Sequence, residues 1–170
     1  EVDINECIDS AMLLVPAPSG GNVNLEKRFT PYLPRIKADR RLLQQIIVNM
    51  ILNAIQARKG PDPLSIMVSS EIVERPSDRH LRTINPDHIH DRRKVSRSIH
   101  IAVEDNGRGI PPETLPSIFK PFFTTKQEGT GLGLAICRRI VHDHGGRIDI
   151  ETEAGRGTIF HIFLPVVGNG

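Results

Sequence analysis

The chain has 170 residues and a mass of 18.9 kDa, room for one domain with a buried core and too little for two ordinary ones. Apolar residues make up 38% and charged residues 25%, as in soluble globular chains, and a net charge of +2 is too balanced to point to nucleic acid. Two cysteines exclude a disulfide framework and suit a reduced, intracellular setting, while no tryptophan and a single tyrosine exclude an aromatic platform for single strands.

The first segment, Asp3 to Leu14, places Ile4, Cys7, Ile8, Met12 and Leu13 at helical spacing behind an Asp able to cap it. The opening Glu1-Val2-Asp3 has the wrong sign for a signal peptide. Pro16, Pro18 and Gly20-Gly21 break the pattern, and Val23 to Phe29 then alternates as a strand does. Asp39 is placed to cap the longest predicted helix, Arg40 to Arg58, which Gly60-Pro61 closes. Within it, Leu42 to Ala57 is a charge-free run of sixteen residues, but its five amide side chains exclude a membrane span. Strands are predicted at Leu64 to Val73 and at Ile99 to Val103. Between them, residues 74–98 carry seven Lys/Arg, four Asp/Glu and three His, which reads as a solvated polar insertion. There His80, His88 and His90, with Asp87 and Asp91, match no metal-ligand spacing. Pro112 to Phe119 predicts one or two helical turns. Gly131 to His144 predicts a helix ended by Gly145-Gly146, with His142 and His144 as ordinary surface residues. Arg147 to Thr152 alternates, Thr158 to Leu164 is the last strand, and Gly155-Arg156-Gly157 suits a hairpin between them. The order helix, strand, helix, strand, strand, helix, strand, strand predicts an α/β two-layer sandwich. Its sheet is mixed and mostly antiparallel, with helices packed on one face.

Five segments carry candidate chemistry. On the long helix Gln45, Asn49, Asn53 and Gln56 fall within about 80° of one another at 100° per residue. The apolar set of Ile46, Ile47, Met50, Ile51, Ala54 and Ala57 lies opposite, and Leu52 intrudes on the amide side. Such a row is either an amide network inside the core or a set of oxygen ligands and donors facing a polar cavity; amide oxygens suit Mg²⁺. Asp105-Asn106-Gly107-Arg108-Gly109-Ile110 follows a strand directly. It reads as a tight turn, or as a fixed carboxylate with glycines that admit a ligand. In Phe119 to Phe123 three Phe within five residues include core packing, and the polar stretch after Pro121 suits a lid hinged on glycine. Lys126 is placed equally well to reach a phosphate or to sit in water. Gly129-Thr130-Gly131-Leu132-Gly133-Leu134 opens a helix, where free N–H groups favour phosphate. It is neither a P-loop nor a dinucleotide fingerprint, because no Gly-Lys-Ser/Thr follows and no strand precedes it. Gly155-Arg156-Gly157-Thr158 is a turn that can present a hydroxyl.

In this order the segments resemble the catalytic, ATP-binding domain of sensor histidine kinases, in the wider ATPase group shared with gyrase, Hsp90 and MutL. The run from Gln45 to Ala54 is similar to the family's asparagine box, Asp105 to Ile110 to its first glycine box, Phe119 to Phe123 to its phenylalanine box and Gly129 to Leu134 to its second glycine box. The likeness extends from about Asp3 to Pro165 and omits the insertion. The resemblance implies a Bergerat-type sandwich, one domain over 1–170, with ATP and Mg²⁺ held between helices and a lid. It implies that Asp105 binds the adenine amino group, with Gly107, Gly109, Ile110 and Thr158 around it. It further implies that Asn53 with Asn49 holds Mg²⁺. Phe122, Lys126, Gly129, Thr130, Gly131, Leu132, Gly133 and Leu134 would line or hinge the phosphate side.

Gyrase-like and Hsp90-like members carry a Glu where this chain has Asn49, and an amide has no pKa with which to serve as a general base. The resemblance therefore implies a protein-histidine kinase that transfers the γ-phosphoryl group rather than hydrolysing ATP. None of the seven His fits the family's acceptor pattern. The expectation is thus a cytoplasmic piece of a longer protein, monomeric alone and homodimeric in its parent, without the dimerisation and phosphoacceptor helices. Its partners would be those helices and a response regulator, with no nucleic acid. A serine kinase of the same group and a non-catalytic nucleotide-sensing module are the alternatives.

Overall fold

The computed structural model describes residues 1–16, 22–74, 97–125 and 129–166. Most of the predicted insertion, its His and Asp residues, and Lys126 lie outside the described residues.

Among the described residues three α-helices and five strands follow in the predicted order: α1 (Ile4–Leu14), β1 (Val23–Phe29), α2 (Arg40–Gln56), β2 (Leu64–Val73), β3 (Ser98–Asp105), α3 (Gly133–Asp143), β4 (Arg147–Glu153) and β5 (Gly157–Pro165). The stretch predicted as one or two helical turns before Phe119 is a single 3₁₀ turn, Leu115–Ser117. The expected helix from Gly131 starts two residues later, because Gly131 takes φ +68°, outside helical space.

The sheet runs in the order β1-β2-β3-β5-β4. β1 and β2 are parallel, joined through α2, and the other pairs are antiparallel. Alternation explains which face is covered. Leu64, Ile66 and Val68 of β2, Ile99, Ile101 and Val103 of β3, and Phe160, Ile162 and Leu164 of β5 point to the helices and are buried. Against them α2 sets Leu43, Ile46, Ile47, Met50, Ile51 and Ala54. Each large side chain so buried stabilises by about 1.5–3 kcal/mol, enough to hold a helix whose Asn residues disfavour it. Asp39 caps α2 by accepting from the N–H groups of Arg41 and Leu42, at 2.8 and 3.3 Å.

Lys27, at an inward position of β1, pairs with Asp9 of α1. His144, expected at the surface, is half-buried and engaged at both ring nitrogens. Nδ1–H donates to the Ile140 carbonyl at 2.8 Å, and Nε2 accepts from the Asp39 N–H at 3.1 Å.

The β4–β5 hairpin holds β5 against β3 through a glycine with no room to spare. Gly157 has φ +125°, and a Cβ there would lie 1.9 Å from the Asp105 carbonyl oxygen; Gly155 has φ +83° with nothing within 4 Å. Gly155→Ala is expected to lose about 1–2 kcal/mol of stability from backbone strain alone. Gly157→Ala is expected to lose clearly more and to disturb the β3–β5 pairing. Urea unfolding of the two variants checks this, and equal losses would contradict it.

Candidate functional site

A cavity of about 590 Å³ opens between the amide side of α2, the ends of β3 and β5, the segment around Gly109 to Ile118, and the glycine run before α3. Its closed end is built by β3. Asp105 is the last residue of that strand, pairs in register with Thr158, and is only 5% exposed. Burial pushes its carboxyl up to about 6, against the pull of hydrogen bonds from the Gly107 and Thr158 backbone N–H groups, the former at 2.8 Å. At neutral pH it is therefore an ionised acceptor in a poorly solvated corner.

The turn after Asp105 fastens β3 to the end of α2. Arg108 N–H donates to the Ala57 carbonyl at 2.8 Å, and its guanidinium reaches the Gln56 carbonyl at 3.4 Å. Gly107 lies outside the cavity wall. A Cβ there would sit 2.6 Å from the Ala57 carbonyl oxygen, so this glycine serves the close approach of turn and helix. Gly109 and Ile110 do line the cavity. Ile110 N–H donates to Thr152 Oγ1 at 2.9 Å, and Thr152 gives its own proton to the Gly157 carbonyl at 3.0 Å. The Thr158 hydroxyl, 3.1 Å from Thr152 Oγ1, must then be the donor of that pair. Its lone pairs remain for the cavity. Thr152 is a supporting residue that strand alternation places inward without revealing this bond.

Of the amide row, Asn49, Asn53 and Gln56 line the cavity, while Gln45 is exposed and does not. Asn49 Nδ2 donates to Cys137 Sγ of α3 at 3.6 Å, which commits the NH₂ end and leaves the side-chain oxygen as an acceptor. Cys137 is fully buried, and burial raises its thiol to about 11, so it stays protonated and unreactive.

On the opposite wall stand Gly129, Thr130, Gly131, Gly133 and Leu134. Leu132 takes the N-cap position of α3 and is not in the wall, and among the described residues no side chain caps this helix. Its first-turn N–H groups thus lie beside the cavity with the positive end of the helix dipole. Phe122 is also outside the wall: its backbone has φ +65° and its ring is 75% exposed, while Phe123, the next residue, packs on the core and lines the cavity. A Cβ on Gly131 would fall 2.4 Å from the Phe122 carbonyl carbon, so the glycine run passes directly over that backbone. Leu52, Arg108, Thr124 and Thr125 complete parts of the lining, and Ala57, which the helical wheel sets on the apolar side, joins them because it lies at the very end of α2. Among the described residues no group of three His, Cys, Asp or Glu could hold a metal ion, and no helix is long and apolar enough to cross a membrane.

A buried carboxylate, an amide-bearing helix and a glycine-led helix N-terminus thus face one cavity, and the family model for histidine kinase-, DNA gyrase B- and HSP90-like ATPases matches residues 38–168. The chain belongs to this ATPase family. Sensor histidine kinase ZraS of Escherichia coli (strain K12) is 35% identical over 167 residues, covering 97% of this chain and 30% of that protein. Sensory histidine kinase/phosphatase NtrB of Rhizobium leguminosarum bv. phaseoli is 34% identical over 164 residues, covering 96% and 40%. The chain therefore spans well under half the length of these relatives. The solved catalytic domain of histidine kinase ThkA superposes with a TM-score of 0.69 at 28% identity, covering 96% of this chain and 93% of that one. ThkA in complex with the response regulator protein TrrA gives a TM-score of 0.65 at 26% identity, covering 98% of this chain and 41% of that one. The fold of this ATPase family is accordingly a two-layer α/β sandwich with an ATP-binding site, as the sequence leads one to expect.

The raised Asp105 carboxyl has a consequence for stability. The folded chain keeps this proton up to about pH 6, whereas the unfolded chain releases it near the ordinary value of 3.8. The stability that the group contributes is full below the lower value and is lost as pH rises through the upper one. Asp105→Asn should therefore melt at or above the temperature of the parent chain at neutral pH. Its melting temperature should also lack this group's decline between about pH 4 and 6. A loss of several degrees at neutral pH would contradict the assignment.

Proposed function

We propose that this chain is the ATP-binding catalytic domain of a sensor histidine kinase, passing the γ-phosphoryl group of Mg-ATP to a histidine on a separate dimerisation domain. The observation that carries the proposal is Asn49. In the wall where a hydrolytic member of the family needs a carboxylate base, this chain sets an amide whose NH₂ is already held by Cys137. An amide cannot take a proton from water, and the site is left with alignment and charge stabilisation as its means.

The residues present fit a purine nucleotide with Mg²⁺. Asp105 offers an ionised acceptor for the adenine amino group, and Thr158 a second acceptor beside it. The side-chain oxygens of Asn49 and Asn53 would hold Mg²⁺, a hard cation that takes amide oxygens and keeps phosphate and water for the rest. When bound, Mg²⁺ neutralises charge on the phosphates. The N–H groups at the start of α3, with Gly129, Gly131 and Gly133, face the same space and suit phosphate oxygens. Ile110, Leu134 and Phe123 supply apolar walls that exclude water.

The curated relatives support this reading by their names, and the ThkA–TrrA complex supports a response regulator as downstream partner. On this reading the parent is a cytoplasmic or membrane-anchored homodimer, and its acceptor histidine stands outside this chain.

Calorimetric titration with ADP and Mg²⁺ should show saturable binding. Isotopically labelled ATP should label an added acceptor-helix domain from the parent, and Asn53→Ala should lower that labelling by more than about tenfold. Labelling unchanged in Asn53→Ala would overturn the Mg²⁺ assignment. Release of phosphate without transfer would point to hydrolysis, label on serine to a serine kinase, and binding without any transfer to a sensing module.

A further inference from the structure

The two faces of the phosphate side belong to different helices. Asn49 and Asn53 stand on α2, and the glycine run enters α3 at Gly133. Their relative placement depends on how far α3 is slid along α2, which apolar packing alone specifies weakly. Core contacts of Ile, Val and Met can be re-formed after a small shift at modest loss, whereas a hydrogen bond of fixed geometry cannot.

Such a bond is present at the far end of the pair. His144, the C-terminal cap of α3, donates from Nδ1 to the Ile140 carbonyl within its own helix, which fixes the ring. A carbonyl can only accept, so Nδ1 carries the proton. Nε2 is 3.1 Å from the Asp39 N–H, which can only donate, so Nε2 is bare. The ring is a neutral imidazole spanning from the end of α3 to the N-cap residue of α2. Asp39 in turn caps α2 through Arg41 and Leu42.

The distances along the helices match. Ten residues separate Asp39 from Asn49 and eleven separate Gly133 from His144, which is about 15 and 16 Å at 1.5 Å per residue. Consistently, a Cβ on Gly133 would meet only Asn49 Cγ, at 4.0 Å. The helices run antiparallel, tied at one end by His144 and meeting at the other where Gly133 passes Asn49. At that second point Asn49 Nδ2 also bonds Cys137 Sγ, one turn further into α3. A helix is stiff over three turns, so a slip at His144 arrives at Gly133 nearly undiminished.

We infer that His144 is a positioning residue for the phosphate end of the site, setting the register of α3 on α2 and so the placement of the glycine run against Asn49 and Asn53. It touches neither nucleotide nor metal. The inference rests on the nucleotide reading above. It predicts a split: the adenine end, built by Asp105 and Thr158 on β3 and β5, is independent of this register, and the phosphate end is not.

The test uses this chain with two probes, Mg-ADP by calorimetry and adenosine by amide chemical shifts at Asp105 and Thr158. In His144→Ala, Mg-ADP affinity should fall about tenfold while adenosine affinity changes less than about twofold. His144→Gln, whose side-chain oxygen can still accept from the Asp39 N–H, should restore Mg-ADP affinity to within about threefold of the parent. If the Ala variant does not fold, His144→Phe, which fills the space without either hydrogen bond, carries the same comparison. Mg-ADP affinity equal to the parent, or an equal fall for both probes, overturns the inference and leaves the nucleotide reading standing. Failure of the parent chain itself to bind Mg-ADP overturns both.

Discussion

One ionised carboxylate in a dry corner is the constraint around which this structure is arranged. Burial works against Asp105 strongly enough to lift its carboxyl to about 6, and Glu104 beside it adds to the strain. What holds it are backbone N–H groups, from Gly107 in its own turn and from Thr158 on the neighbouring strand. Both partners require close backbone approach. Gly157 lies so near the Asp105 carbonyl that no side chain fits, and Gly107 also packs closely on the end of α2. These two glycines, neither of them in the cavity wall, are thus structural conditions for the position of the carboxylate. A group kept at such cost is a candidate for function, and on the proposed reading the adenine amino group would donate to it.

The remainder of the site follows from the helices. α2 is held on the sheet by six buried side chains, and Asn49, Asn53 and Gln56 on its polar side line the cavity. α3 runs alongside it, and among the described residues no side chain caps its N-terminus, a state that is unfavourable unless water or an anion meets those N–H groups. Carboxylate, amides and helix N-terminus therefore divide the cavity into an end that suits a purine and an end that suits phosphates. On the proposed reading, Asn rather than Glu at position 49 would separate phosphoryl transfer from hydrolysis within the same fold.

The order of the eight elements was legible because apolar periodicity of about 3.6 or 2 residues is set by the same core that buries them. Asp3 and Asp39 were legible as caps for a similarly local reason. The candidate site was legible as five segments, and the cavity gathers residues from all of them. What periodicity does not encode is the direction of side chains on irregular backbone. Phe122, expected to line or hinge the phosphate side, lies outside the wall and Phe123 lines it, because Phe122 turns at positive φ and no pattern in the sequence announces that turn. Gly107 lies outside the wall and against Ala57, fifty residues earlier, a crowding that exists only once the chain is folded. His144 looked like a surface residue because its partner, the Asp39 N–H, is 105 residues away and is backbone. Gln45 satisfied the helical wheel and still missed the cavity, since the wall ends one turn short of it.

The central claim is that Asp105 and the Asn49–Asn53 pair address opposite ends of one nucleotide. A crystal structure of this chain with Mg²⁺ and a non-hydrolysable ATP analogue tests it most directly. The account predicts the adenine amino nitrogen within hydrogen-bond distance of the Asp105 carboxylate and a Mg²⁺ ion on the Asn53 side-chain oxygen. An adenine ring bound away from Asp105, or phosphates lying clear of α2, would contradict it.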